Sequence, residues 1–247
     1  MKKWKRWGAN LLVNIPIMLL SLTCIFPVVW LLYSSLKTDV EFARSPISLP
    51  AVANFGNYVT AFQRASFGTF TFNSVFNSII SLVLVLVISF TLGYLLSRYR
   101  FRGRNLIYGV LMAAMMVPIY ALIVPLFIQE KKIGILNSRW SLIPVYVAME
   151  LPMSVFLIDS YMQGISIDME EAAAIDGAGL LKTMFIIMMP LCKPILSTVV
   201  ILTFMHVWNE FAFAQVLISQ ESLKTIPIGL TYFTSQYMTS YTLLLAA

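Results

Sequence analysis

Long apolar runs separated by short polar breaks dominate the chain. Five runs are long enough to cross a bilayer as helices, which takes roughly 20 residues: 11–36, 75–96, 106–128, 140–162 and 195–218. A sixth run starts at about residue 242, as Thr242-Leu243-Leu244-Leu245-Ala246-Ala247. The pattern predicts an all-α, polytopic integral membrane protein. It has five complete spans plus the start of a sixth, the membrane domain covering 11–247 after a polar segment at 1–10. Segment 37–70, with Pro46, Pro50 and Gly56, reads as irregular surface with a short helix near 58–63. Segment 164–194 reads as a polar loop between the fourth and fifth spans.

Composition supports this class. The chain has 247 residues, of which 59% are hydrophobic and 11% charged. A soluble domain carries about 25% charged residues, so this charge cannot cover a soluble surface. The two cysteines, Cys24 and Cys192, are far apart and sit in or beside apolar runs, which gives neither a disulfide framework nor a zinc spacing. The basic start, Met1-Lys2-Lys3-Trp4-Lys5-Arg6, looks like the n-region of a signal peptide. The apolar run behind it is too long for one and no small-residue cleavage site closes it, so it reads as a retained first span.

Charge sets the expected orientation. With the N-terminus inside, ten basic residues fall on the inner side (Lys2, Lys3, Lys5, Arg6, Arg98, Arg100, Arg102, Arg104, Lys182, Lys193) and seven on the outer (Lys37, Arg44, Arg64, Lys131, Lys132, Arg139, Lys224). The margin is small, but four arginines in seven residues at 98–104, with no acid, mark a cytoplasmic loop. Residues 1–10 and the 164–194 loop are then cytoplasmic as well. The net charge of +6 fits basic loops facing anionic lipid, not nucleic acid.

The 164–194 loop has a defined local shape. Asp168 is placed to cap a helix, with Glu171 three residues on completing a capping box. Glu170-Glu171-Ala172-Ala173-Ala174 is strongly helix-forming, with its acids at the positive end of the helix dipole. Gly177 ends or bends that helix. A second helical run over 180–189 follows, and Pro190 closes it. Physics alone leaves two readings open: an ordinary loop lying on the headgroups, or an elbow that seats in a partner's groove.

Glu171-Ala172-Ala173, three residues, Gly177, nine residues and Ile187-Met188-Met189-Pro190 together resemble the EAA loop of the membrane subunits of ABC importers. Only Met189 departs from that pattern, where leucine is usual. The resemblance implies a type I importer permease fold in which this loop is the coupling helix that docks on an ATP-hydrolysing subunit. Glu170, Glu171, Ala172, Ala173, Asp176, Gly177 and Pro190 take that role by resemblance, the alanines being small enough for close approach. Asn73-Ser74, the wider run 170–179, Pro190-Leu191, Lys193-Pro194 and Trp208-Asn209-Glu210-Phe211 resemble the carbohydrate branch, closest to the second permease subunit of maltose-type importers. The resemblance implies a homologous permease partner, two ATP-binding cassette subunits, an extracytoplasmic solute-binding protein, and a place in the cytoplasmic (inner) membrane of a bacterial-type cell. Members of that branch continue through a complete sixth span, whereas this sequence stops where that span starts.

Three acids, Glu150, Asp159 and Glu210, lie inside spans, and the lone histidine, His206, precedes Glu210 by four residues. Such groups are costly in a bilayer and face a cavity or a partner. A proton or substrate relay and a neutralised structural pair are both open. Pro118, Pro125, Pro144 and Pro152 suggest broken or kinked helices, which can expose backbone to a path. Trp208, Tyr120 and Tyr146 could stack on sugar rings or serve packing and the interfacial belt. Trp208, Asn209 and Glu210 are the candidates for the translocation path.

No G-x-x-x-x-G-K-[ST] phosphate loop occurs in the sequence. The expectation is a transport subunit that is not itself an enzyme and binds no cofactor, with ATP held by partner subunits. The rival is a secondary transporter coupled to protons through Glu210, His206 and Glu150. No metal-ligand or Ser/His motif supports an intramembrane enzyme.

Overall fold

The computed structural model describes residues 2–64, 66–234 and 240–247. Met1 lies outside the described residues, as do the side chains of Lys2, Lys3, Lys5, Arg6 and Arg64, five of the basic residues counted above. Every element among the described residues is helical. In chain order they are α1 (Lys2–Ser34), α2 (Asp39–Arg44), α3 (Gly56–Arg64), α4 (Phe67–Arg98), α5 (Arg104–Ala114), α6 (Ile123–Ile133), α7 (Leu142–Met162), α8 (Asp168–Ile175), α9 (Leu180–Lys182), α10 (Met189–Leu191), α11 (Lys193–Asn209), α12 (Ala212–Leu217), α13 (Ile226–Leu230) and α14 (Tyr241–Ala246). A π-helical stretch, Thr183–Met188, joins α9 to α10.

Three helices have the length and hydropathy of a span: Asn14–Ser34 within α1, then α4 and α7. Two further candidates are bent pairs, Arg104–Ala114 with Ile119–Ile133 at 98°, and Leu180–Leu191 with Lys193–Asn209 at 79°. The third span expected at 106–128 is two helices, broken beside Pro118, one of the prolines expected to break or kink a helix. The fifth, expected at 195–218, is broken at Glu210, which adopts extended backbone (φ −68°, ψ 126°) between α11 and α12. Pro118 lies at the third-span break with extended backbone (ψ 113°), and proline lacks the N–H that would bridge it.

The chain forms two compact units, residues 1–67 with 229–247 and residues 68–228. In the first, the loop after α1 wraps around a fully buried lysine. Lys37 Nζ donates to the carbonyls of Ser45 (2.9 Å) and Pro46 (3.0 Å) and lies 5.3 Å from the Tyr33 ring centre. Trp30 and Tyr33 donate to Pro46 O and Ile47 O. Asn57 Nδ2 holds the carbonyls of Ser35 and Lys37, each at 2.7 Å. The carbonyls of this irregular backbone are thus satisfied from inside the protein. The expected short helix at 58–63 is α3.

In the second unit α4 packs against α7. Its inward face carries small and short polar residues, Asn73, Asn77, Ser78, Ser81, Ser89 and Gly93, all buried or packed against a neighbour. Without water to expel, membrane helices associate through close packing and hydrogen bonds, which small residues permit. Gly93 shows how tight the packing is: a Cβ there would lie 2.7 Å from Ile158 Cγ2 on α7. At the far end Asn73 Nδ2 donates to Ser222 O and Lys224 O, and Ser74 Oγ accepts from Ile226 N. Two clusters complete the unit. One joins Phe90 and Tyr94 to Ile158, Met162, Met184 and Met188. The other joins Tyr146 to Val207, Phe213 and Leu217.

Candidate functional site

The 164–194 segment forms two short helices joined by a glycine turn, as the sequence suggests. The turn closes α8 with paired hydrogen bonds, Ala178 N to Ala173 O (2.9 Å) and Gly177 N to Ala174 O (3.0 Å). This is a Schellman motif, and it needs left-handed backbone at the residue after the cap. Gly177 supplies it at φ +76°, with open space where a side chain would be. The start of α8 differs from expectation. Ile167 is the N-cap, and Asp168 does not form the expected capping box. Its carboxylate accepts from Ser166 Oγ (2.8 Å), while its own N–H donates to that oxygen. Nor does Pro190 close the second helix: the run continues to Leu191 and turns at Cys192.

The two adjacent acids of the motif part company. Glu171, Ala172, Asp176 and Pro190 are exposed, and Ala173 is buried. Glu170 turns inward, its side chain only 12% exposed. Its Oε1 lies 2.5 Å from Arg98 Nε, and its Oε2 accepts from the Tyr94 hydroxyl at 2.7 Å. Arg98 Nη2 also donates to the carbonyl of Ile165, at 2.8 Å. Tyr94 and Arg98 are four residues apart on one face of α4, so both reach the same carboxylate. The arginine loop and the polar loop thus lie at one end of this unit, as the charge pattern expects. In the sequence Arg98 shows only as a topology marker, and the signal for Tyr94 is its i, i+4 spacing to Arg98.

Around the outward face of α8 the surface is apolar for a polar loop. Ile175 is 87% exposed and Leu181 67%. Ile167, Met169 and Leu180 are exposed beside them.

Trp208, Asn209 and Glu210 do not form one polar surface. Trp208 stacks on Phe204 at 5.4 Å between ring centres. Asn209 Nδ2 donates to Met205 O within its own helix. Glu210 Oε1 accepts from Phe213 N (2.8 Å), and Oε2 accepts from Ala214 N (3.1 Å) and the Tyr146 hydroxyl (3.0 Å). It caps α12, which is why the fifth span breaks there. The expected His206–Glu210 pairing along one helix does not form, because α11 ends at Asn209. His206 Nδ1 instead lies 3.1 Å from Glu150 Oε1 on α7. Asp159 accepts from Gln163 Nε2 at 3.0 Å. The proton-coupled alternative gains no support from this geometry.

The bend in the third span borders a cavity of about 630 Å³. Met115, Leu122, Leu126, Met149 and Phe213 line it, and Gln129 and Glu130 are its polar groups. Glu130 is buried and accepts from the Ser141 hydroxyl. Glu130 falls just past the expected end of the third span, so hydropathy gives no sign of its burial.

Comparison with known proteins extends these observations. Residues 87–247 match the family described as binding-protein-dependent transport system inner membrane component. The chain is 36% identical over 233 residues to the diacetylchitobiose uptake system permease protein of Streptomyces coelicolor, covering 94% of this chain and 77% of that protein. It is 32% identical over 226 residues to the trehalose/maltose transport system permease protein of Thermococcus litoralis, covering 91% and 81%. It is also 32% identical over 224 residues to the sulfoquinovosyl glycerol transport system permease protein of Agrobacterium fabrum, covering 90% and 79%. Among solved structures, one of a bacterial ABC transporter involved in import of the acidic polysaccharide alginate superposes with a TM-score of 0.81 over 100% of this chain and 91% of that one; at 23% identity this is likeness of fold. The match over more than half of the chain, with relatives above 30% identity along nearly all of it, places the helices and the loop described above in one family: this chain belongs to the binding-protein-dependent transport system inner membrane components.

Proposed function

We propose that this chain is a membrane-spanning permease subunit of an ATP-driven importer for a sugar or oligosaccharide. It forms half of the translocation path and receives its drive through the loop of α8 to α10. The observation that carries the coupling reading is the exposed face of that loop. Ile175 and Leu181 stand clear of the protein beside Glu171 and Ala172. Large apolar side chains next to acids on a polar loop mark a protein–protein contact. The solute class rests on the relatives, whose names specify diacetylchitobiose, trehalose/maltose and sulfoquinovosyl glycerol.

The partners are a homologous permease, two ATPase subunits that hold the ATP, and an extracytoplasmic binding protein that delivers the solute. ATP-driven approach of the ATPases pushes the two elbows together and switches the path from inward- to outward-facing. The membrane is the cytoplasmic one, with the N-terminus and the α8 loop inside. The test places a cysteine at Ala172 or Ala174 for crosslinking to the co-purified ATPase and replaces Gly177 with leucine. We expect a crosslink, and loss of ATP-dependent uptake of labelled trehalose or diacetylchitobiose. Absence of the crosslink together with undiminished uptake in the Gly177→Leu protein would refute the reading.

A further inference from the structure

We propose that Tyr94, Arg98 and Glu170 form a latch that fixes α8 rigidly to the end of α4, so that displacement of α8 is delivered directly into that span. This rests on the reading of α8 as the docking element, and it assigns Glu170 the role of a positioning residue rather than a docking contact.

Glycines flank α8 in the chain. Gly164 lies in the turn before it, and Gly177 and Gly179 lie just beyond it. Gly177 is held in the Schellman turn, so the freedom of this short helix to swing lies at Gly164 and Gly179. Two side-chain attachments oppose that swing. Ala173 is buried on the inward face of α8. The latch ties the first turn of α8, and the Ile165 carbonyl just before it, to the last turn of α4.

The latch is stiff for chemical reasons. Glu170 Oε2 accepts from the Tyr94 hydroxyl, and Oε1 lies 2.5 Å from Arg98 Nε as an ion-pair contact. Arg98 divides its guanidinium between that carboxylate and Ile165 O. Tyr94 is fully buried, and its ring meets that of Tyr99 at 5.8 Å. Side-chain exposures of 10% for Arg98 and 12% for Glu170 leave little water or salt to screen their attraction. Removing one partner strands a desolvated charge. The second route out of the loop, through Thr183–Met188 and α10, crosses the 79° bend at Cys192 before reaching α11. The latch thus reaches a long span without that bend, beside the packing of Met184 and Met188 on Phe90 and Tyr94.

The test reads stiffness and needs no solute. In the Cys24→Ser protein, spin labels go on Val87→Cys in α4 and Ala174→Cys in α8, and distances are measured in the importer complex that purifies with this chain. The intact latch gives one narrow distance distribution, the same without nucleotide and after trapping with ATP and vanadate. Glu170→Ala turns it into a broad, nucleotide-dependent one while the ATPase still co-purifies. Glu170→Gln, which keeps the volume and a bond to Tyr94, serves if the alanine protein fails to assemble and gives intermediate broadening. Glu170→Arg with Arg98→Glu restores the narrow distribution, which a purely steric role would not. A Glu170→Ala or Glu170→Gln distribution as narrow as the parent's overturns the proposal, and so does a parent distance that moves with nucleotide. Loss of the ATPase from the parent complex would instead count against the docking reading, and the nucleotide-free distributions still decide the latch.

Discussion

The Tyr146 hydroxyl on α7 donates to the Glu210 carboxylate at 3.0 Å, across the break between α11 and α12. That carboxylate also accepts the N–H groups of Phe213 and Ala214. An acid that looked free to carry protons or touch solute is therefore committed to holding a broken span together.

Replacing Glu210 tests this commitment. Glu210→Ala orphans two N–H groups and the Tyr146 hydroxyl, at about 1–3 kcal/mol for an unsatisfied buried group. The detergent-solubilised protein should show a lower thermal midpoint. Glu210→Gln keeps an acceptor for the helix end and should lose distinctly less. Equal midpoints for the parent and the alanine protein would show that the cap contributes nothing.

Gly93 should resist enlargement. An added Cβ would meet Ile158 Cγ2 at 2.7 Å and Asp159 N at 3.3 Å, so α4 and α7 must separate, at about 1–3 kcal/mol for an overpacked site. Ile158→Ala removes the obstructing methyl. The double variant Gly93→Ala with Ile158→Ala should then lose less than the sum of the two single losses, read as thermal midpoints in a double-mutant cycle.

At Gly177 the expectation is different in kind. A side chain there meets open space, and the strain lies in the backbone at φ +76°. Gly177→Val should cost about 1–2 kcal/mol, while Gly177→Asn, which tolerates left-handed backbone, should cost less. Limited proteolysis of the 176–180 turn reads the difference. Equal cleavage of the two variants would mean that the Schellman turn does not depend on that conformation.

Asp39 should control the order of α14. Its carboxylate accepts from Ser240 Oγ (2.8 Å), Thr242 N (3.2 Å) and Thr242 Oγ1 (2.7 Å), which ties the start of that six-residue helix to α2 within the first unit. A helix this short has little stability of its own. In Asp39→Ala, hydrogen exchange at the Leu244 and Ala247 amides, which bond to Ser240 O and Leu243 O, should quicken while α4 amides stay protected. Unchanged exchange would show that apolar packing alone holds α14.

Much of this was legible in advance, and the misses have physical causes. Hydropathy located the helices of span length, because any bilayer crossing must satisfy its backbone internally, which forces long apolar helices. It missed the third-span bend because 106–128 is apolar throughout, so its sum does not register where the helix stops. Pro118 marked the place but not the 98° angle. Gly177 was legible because left-handed backbone after a helix favours one residue type. The separate fates of Glu170 and Glu171 were not. Neighbours on a helix point about 100° apart, and only contact with Tyr94 and Arg98 decides which one faces inward.

The sequence by itself determined the membrane class, the approximate spans, and a loop whose residues at 171–190 resemble a known coupling element. Those properties depend on composition and on residues close together in the chain. Tertiary structure decided which charges are already committed. Glu210 is used up on α12, His206 turns to Glu150, and Glu170 joins Arg98, because a buried charge is satisfied by whichever partner the packing brings near, and sequence spacing does not fix that.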